Sequence, residues 1–305
     1  MNYVKSVQEL IGKTPLIELT HIARPNDVRI FAKLEFFNPG GSIKDRLGIK
    51  LLEDAATKGM LKPGGTIIEP TAGNTGIGVA LAAVGKGYRV MFVTPEKFSQ
   101  EKQTLMKALG AEVVNTPTDK GMTGAIERTK ELLKEIPGSF SPQQFANEAN
   151  PLTYYETLGP ELYNDLDGNI DIFVAGAGTG GTFMGTSRYL KEQNDQIKTV
   201  IVEPQGSILN GGASGPHRTE GIGMEFLPEY MDPAFFNAIH TIPDDIAFER
   251  VKQLAREEGL LVASSSGAAL EAVLREAEHA RSDAHIVTIF PDSSERYLSQ
   301  GIYEE

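Results

Sequence analysis

The stretch Ile170-Asp171-Ile172-Phe173-Val174-Ala175-Gly176-Ala177-Gly178-Thr179-Gly180-Gly181-Thr182 decides the fold. A short apolar, β-prone run enters a glycine-dense turn, and a helical pattern then spans Gly181–Gln193. Strand, glycine turn and helix in succession form the repeating unit of a parallel sheet, whose strands need helical crossovers. The same order recurs along the chain. Strands are predicted over Ile30–Leu34, Thr66–Glu69, Arg89–Thr94, Glu112–Asn115, Ile170–Ala175, Thr199–Glu203 and His285–Phe290. Helices are predicted over Ile43–Lys58, Asn74–Lys86, Ser99–Leu109, Thr123–Ile136, Thr157–Leu166, Gly181–Gln193, Ile246–Glu258 and Ala268–Arg281. Alternation of this kind predicts an α/β fold with helices on both faces of the sheet.

Composition narrows the function classes. The 305 residues hold 29 Lys+Arg against 41 Asp+Glu, for a net charge of −12, so nucleic acid and anionic membranes are poor partners. With no cysteine there is no disulfide, thiolate nucleophile or Cys-ligated metal. The five histidines (21, 217, 240, 279, 285) are scattered, without ligand spacing. Residues 1–16 lack the apolar stretch of a signal peptide, and apolar runs such as Val79–Val84 are too short to span a bilayer. A cytoplasmic, soluble, metal-free protein is expected. Ser139–Pro160 is rich in Pro, Asn and Gln, and reads as the passage from a smaller α/β unit to a larger one. A ligand cleft is expected between the two, at the carboxyl ends of the strands.

Four loops carry the candidate chemistry. In Asn38-Pro39-Gly40-Gly41-Ser42-Ile43-Lys44-Asp45-Arg46, Ser42 and Asp45 resemble a capping box, which sets Lys44 in the first turn of a helix. There the helix dipole disfavours a cation, lowering the lysine pKa and favouring the free amine that forms a Schiff base. A solvated surface lysine is the plainer alternative. Glu69-Pro70-Thr71-Ala72-Gly73-Asn74-Thr75-Gly76 offers helix-terminal N–H groups and the side chains of Thr71, Asn74 and Thr75 to an anion such as a carboxylate; an ordinary capped turn would look the same.

Gly176–Gly181 satisfies G-x-G-x-x-G, and Glu203 stands about 20 residues on, where a ribose-binding acid would belong. A nicotinamide reading is therefore open. Thr179 and Thr182, beside a dense row of backbone donors, suit a single terminal phosphate better; plain turn glycines are the third possibility. Ala263-Ser264-Ser265-Ser266-Gly267-Ala268 precedes another helix and can serve simply as a serine N-cap. Gly12-Lys13-Thr14 is not a P-loop, because Val7 stands where the first glycine is required.

In order, these motifs resemble the fold-type II pyridoxal-phosphate (PLP) enzymes of the cysteine synthase / cystathionine β-synthase family. The resemblance runs from Ile11-Gly12-Lys13-Thr14-Pro15-Leu16 nearly to the end. It takes in N-P-G-G-S-I-K-D-R (38–46), P-T-A-G-N-T-G (70–76), Q-Q-F (143–145), Asn150-Pro151, G-T-G-G-T (178–182), E-G-I-G (220–223) and S-S-G-A-A (265–269). It implies two three-layer αβα domains with parallel-type sheets and an active site in the cleft between them. Residues 1–34 and 148–305 would form the larger, PLP-phosphate-binding domain, and residues 35–147 the smaller, mobile domain that binds the substrate carboxylate.

The resemblance also implies roles. Lys44 would hold PLP as a Schiff base and act as acid and base, and Asn74 would bond the cofactor's 3′-oxygen. Gly178, Thr179, Gly180, Gly181 and Thr182 would hold the phosphate, Ser265 would face the pyridine nitrogen, and Gly221 would line the cofactor's edge. Thr71, Ala72, Asn74, Thr75 and Gln144 would grip the substrate carboxylate. Ala72, standing for the family's usual serine, would offer only its backbone. A serine hydroxyl cannot stabilise a protonated pyridinium, so the ring would be a moderate electron sink suited to β-elimination.

The implied reaction is β-replacement on O-acetyl-L-serine, with L-serine as a second possible donor, through an α-aminoacrylate. Homocysteine would give cystathionine and sulfide would give cysteine. The segments 202–209 and 95–102 resemble the cystathionine-forming branch, whereas Gly215-Pro216-His217 resembles the cysteine synthases. Met224 has a flexible thioether able to line a mouth that admits homocysteine; a core methionine is the equal alternative. A dedicated cysteine synthase is the nearest alternative activity, and a serine/threonine dehydratase or a non-catalytic binding partner the remote ones. The family implies a homodimer.

Overall fold

The protein is described by a computed structural model that covers Tyr3–Glu304. The chain opens with β1 (Leu16–Glu18) and β2 (Arg29–Leu34). There follow α1 (Lys44–Thr57), β3 (Thr66–Pro70), α2 (Asn74–Ala83), β4 (Arg89–Pro95), α3 (Gln100–Ala108) and β5 (Glu112–Thr116). Next come α4 (Gly121–Glu135), β6 (Ser139–Phe140), α5 (Ala149–Glu156), α6 (Leu158–Asp165), β7 (Ile172–Gly176) and α7 (Gly181–Gln193). The chain finishes with β8 (Lys198–Pro204), β9 (Ala238–Ile242), α8 (Asp244–Gln253), α9 (Ser264–Ala277) and β10 (His285–Phe290).

Two compact units result. One holds Asn38–Asn150 with the segment ending at Ile11; the other holds Gly12–Phe37 and the chain from Pro151 onward. These bounds differ from the expected 1–34, 35–147 and 148–305. The opening segment goes with the smaller unit because the Gln8 amide donates to the Leu81 carbonyl (3.1 Å) and the Val84 carbonyl (3.2 Å). The boundary at Asn150/Pro151 falls within the polar passage at 139–160, inside α5.

The smaller unit is built on a four-stranded parallel sheet in the order β5-β4-β3-β6. Its central strands are nearly continuous apolar runs, as sheets covered on both faces require. α1 buries Leu47, Leu51 and Ala55 along one stripe, with Gly48 and Leu52 beside it. Gly48 matters because a Cβ there would collide with the Gly78 carbonyl on α2, and a Cβ at Gly78 would collide with the Lys44 carbonyl. Glycine at both positions lets the two helix backbones touch near their N-termini, which places Lys44 beside the first turns of α2.

The larger unit carries six strands in the order β1-β2-β10-β7-β8-β9, all parallel except β1, which runs antiparallel to β2. Its largest core cluster gathers residues such as Ile30, Val174, Val200 and Phe290 from one face of the sheet, with Leu270 of α9 packed on them. Phe183 on α7 stacks on Phe173 of β7 at 6.3 Å and meets Phe236 edge-on at 5.6 Å, which fixes the start of α7 over the sheet. Among the described residues no helix is long and apolar enough to cross a membrane.

Candidate active site

The smaller unit's candidate residues begin at the loop before α1. Gly41 takes φ +78° and donates to the Asn38 carbonyl at 2.7 Å, a tight turn only glycine makes cheaply. The expected Ser42–Asp45 capping box forms differently. Ser42 Oγ accepts from Lys44 N–H at 3.2 Å, while the buried Asp45 carboxylate reaches back past Ser42 to accept from Gly40 N–H. Lys44 is the first residue of α1, as the spacing predicts. The residue is half-buried, yet its surroundings strip enough water from the amine to lower its pKa from 10.5 to about 8. Burial is the cause, and among the described residues no carboxylate pairs with the amine.

The 70–76 turn follows. Thr71 N–H extends the sheet by donating to the Val93 carbonyl (3.1 Å), and Thr71 Oγ1 accepts from Gly73 N–H (3.3 Å). Ala72, Gly73 and Asn74 are half-buried at the head of α2, a helix whose first-turn N–H groups lack intrahelical acceptors. Thr75 Oγ1 donates to Gln144 Oε1 at 2.7 Å, so the nitrogen of that amide is the end that can donate onward. The structure therefore brings Lys44, Thr71, Ala72, Asn74, Thr75 and Gln144 into one unit.

One residue of this neighbourhood was quoted in the sequence without a role. Glu69, at the end of β3, is buried; its carboxylate accepts from Ser141 Oγ (2.8 Å), Gln143 N–H (3.2 Å) and Gln144 N–H (3.4 Å). Burial pushes its pKa up, while these three hydrogen bonds pull it back down. The signal was invisible along the chain because it depends on β6 lying beside β3.

The larger unit carries the glycine-threonine turn. Gly180 takes φ +82°, and Gly181 begins the thirteen-residue α7. Gly178 has a second reason to be glycine: a Cβ there would collide with the Gly221 carbonyl. Gly223 N–H donates to the Ala177 carbonyl at 2.8 Å, so the Gly221–Gly223 segment lies directly on the turn. Thr179 is buried and its carbonyl accepts from Tyr230 Oη at 2.8 Å; Thr182 is half-buried on the first turn of α7. Met224 is buried, and its Cε would lie 2.9 Å from a Cβ at Gly180. It thus packs against the turn.

Ser265 is buried on the first turn of α9, whose cap is Ala263, so the serine N-cap alternative does not hold. Neighbouring Ser264 Oγ instead accepts from Glu220 N–H at 3.2 Å, tying the 220–223 segment to this helix. Glu203 decides against a dinucleotide. Its fully buried carboxylate accepts from Leu209 N–H (2.8 Å), Asn210 N–H (3.1 Å) and Thr241 Oγ1 (2.8 Å). A carboxylate engaged in clamping its own chain is not presented to a ribose. Among the described residues no cluster of three or more His, Asp or Glu side chains could hold a metal ion.

A parallel α/β protein with a desolvated lysine heading one helix, and a glycine-threonine turn of backbone donors heading another, has the makings of an enzyme that uses a phosphorylated carbonyl cofactor. The chain belongs to the pyridoxal-phosphate dependent enzyme family, whose model matches residues 7–292. It is 57% identical over 304 residues to the O-acetylserine dependent cystathionine beta-synthase of Bacillus subtilis (strain 168), covering 100% of this chain and 99% of that one. It is 50% identical to a cysteine synthase of Helicobacter pylori (strain ATCC 700392 / 26695), covering 99% and 100%. The crystal structure of an O-acetylserine dependent cystathionine beta-synthase from Helicobacter pylori superposes with a TM-score of 0.95, at 50% identity over 99% of this chain and 100% of that one.

The residues present fit PLP. A lysine amine lowered to about pKa 8, with no carboxylate partner among the described residues, suits covalent attachment to an aldehyde, and the 178–182 turn has backbone N–H groups and two hydroxyls of the kind a phosphate takes.

Proposed function

We propose that the chain catalyses β-replacement on O-acetyl-L-serine, with L-serine as a second donor. Homocysteine as acceptor gives cystathionine, and sulfide gives cysteine. The observation that carries this reading is the desolvated Lys44 amine, on a helix whose backbone touches the one bearing Asn74 and Thr75. The names of the relatives support the donor and both acceptors. A dedicated cysteine synthase is the second reading, favoured by the Helicobacter pylori relative of that name.

Bound PLP supplies an electron sink for the negative charge that develops at Cα of the amino acid. In the proposed mechanism Lys44 would hold the cofactor covalently, and its amine, once free, would take the α-proton and later return it. A pKa near 8 leaves about a tenth of such amines unprotonated at pH 7, against well under one in a thousand at 10.5. Ser265 would face the pyridine nitrogen without charging it, which would keep the sink moderate and favour loss of the β-group. Gly178, Thr179, Gly180, Gly181 and Thr182 would hold the phosphate, Asn74 would bond the 3′-oxygen and Gly221 would line the edge.

Thr71, Asn74, Thr75, Gln144 and the Ala72 backbone take the carboxylate of the amino acid. Met224 supports the turn from behind. In this assignment the smaller unit is the mobile, carboxylate-binding domain and the larger unit binds the cofactor's phosphate. The enzyme works as a cytoplasmic homodimer.

The test is product analysis of PLP-loaded protein given O-acetylserine with homocysteine, or with sulfide. Cystathionine and cysteine respectively are expected. Cysteine alone makes it a dedicated cysteine synthase, release of a 2-oxo acid makes it a dehydratase, and no product with either acceptor overturns the reading.

A further inference from the structure

The ladder between β3 and β6 is two residues long, pairing Thr66 with Ser139 and Ile67 with Phe140. Beyond Phe140 the chain leaves the sheet, and Gln143 adopts φ +53°, a conformation that residues other than glycine rarely hold without support. Ladder acceptors end at that point, and the Glu69 side chain takes their place. Its two oxygens receive the Ser141 hydroxyl and the successive N–H groups of Gln143 and Gln144. The Gln144 carbonyl then accepts from Asn150 Nδ2 at 2.8 Å, and the Gln144 amide oxygen accepts from Thr75. Glu69 also directly precedes Pro70 and Thr71, so one buried residue anchors the 141–144 loop to the strand that launches the 70–76 turn.

We propose that Glu69 is the positioning residue of the carboxylate grip: by fixing the Gln143–Gln144 backbone it sets Gln144 against Thr75, and with it the affinity for the carboxylate of an amino-acid substrate. This rests on the carboxylate role given above to Thr71–Thr75 and Gln144. A carboxylate suits the task because it only accepts, and it can take two parallel N–H groups and a hydroxyl at once. Glutamine in its place keeps one accepting oxygen but adds an NH2 facing donors. Alanine removes all three bonds.

The experiment compares two probes on PLP-loaded protein by calorimetry: L-alanine, which has the carboxylate and no β-leaving group, and L-alaninol, which has the amine but no carboxylate. Glu69→Ala is expected to weaken L-alanine binding by about tenfold to a hundredfold, the effect of losing hydrogen bonds to a charged group. L-alaninol binding and PLP content should stay as in the parent protein. Glu69→Gln should fall between, and with O-acetylserine both variants should raise KM more than they lower kcat. Ser141→Ala removes one bond, and should weaken L-alanine by about threefold even if Glu69→Ala fails to fold. Equal loss of both probes, loss of PLP, or unchanged L-alanine binding in Glu69→Gln and Ser141→Ala would overturn the proposal. If the parent protein itself bound L-alanine no better than L-alaninol, the carboxylate site would fall, and Glu69's role with it.

Discussion

In the smaller unit the residues of interest are assembled largely by side chains: Thr75 on Gln144, Glu69 on the 141–144 loop, Asp45 on Gly40. In the larger unit they are assembled by backbone: Gly178 lies on the Gly221 carbonyl, Ala177 pairs with Gly223, and the turn runs straight into α7. A phosphate is met by fixed N–H groups whatever the amino acid attached, so a backbone cradle serves it. A carboxylate that must be gripped and released in each cycle is better served by side chains, whose hydrogen bonds can be remade. The contrast teaches where each kind of mutation should act.

The largest expected effect removes the group that neither cradle replaces. Lys44→Ala should lower turnover by about a thousandfold or more while the phosphate turn still retains added PLP, as steady-state rates and cofactor content would record. A nicotinamide enzyme would be indifferent to that change.

Next come the two glycine contacts. Gly48→Ala drives a Cβ into the Gly78 carbonyl and Gly178→Ala drives one into the Gly221 carbonyl, each costing about 3 kcal/mol because backbone, not a flexible side chain, must yield. The costs should match in denaturant unfolding, but the losses should differ. Gly178→Ala should shed PLP, whereas Gly48→Ala should disturb Lys44 and amino-acid binding. Identical functional losses would erase the distinction between the units.

A smaller effect sits in the unloaded protein. Unfolded Lys44 titrates near 10.5 and the folded amine near 8, so the unfolded chain binds the extra proton between those values. Stability should therefore climb as pH rises from about 8 to 10.5, and below pH 8 the folded state bears the full cost of charging the amine. Lys44→Met removes that cost and should stabilise the unloaded protein by about 2–3 kcal/mol at pH 7, measured by urea unfolding. No gain would mean the amine is better solvated than its surroundings indicate.

Much of this was legible before any coordinates. Lys44 at a helix head, the Asn74 helix start and Gly181 opening α7 all follow from local spacing, because a strand-turn-helix unit is written contiguously. β1, β6 and β9 were not foreseen. They are strands of two, three or five residues that exist only because a neighbouring edge accepts them. Helix α9 begins at Ser264 rather than Ala268, since its serines lie inside the first turn. Glu203 and Glu69 look alike in sequence, each ending a strand ahead of a loop. Their partners, at 209, 210 and 241 for one and 141–144 for the other, are fixed by tertiary pairing that no local pattern encodes.

The division of labour is tested most directly by measuring, on the same preparations, PLP affinity and L-alanine affinity for Thr182→Val and Gln144→Ala. Each change removes polar groups from one unit. A crossed result is expected: Thr182→Val weakens PLP about tenfold and spares L-alanine on the loaded protein, and Gln144→Ala does the reverse. Both variants weakening both ligands alike would contradict it.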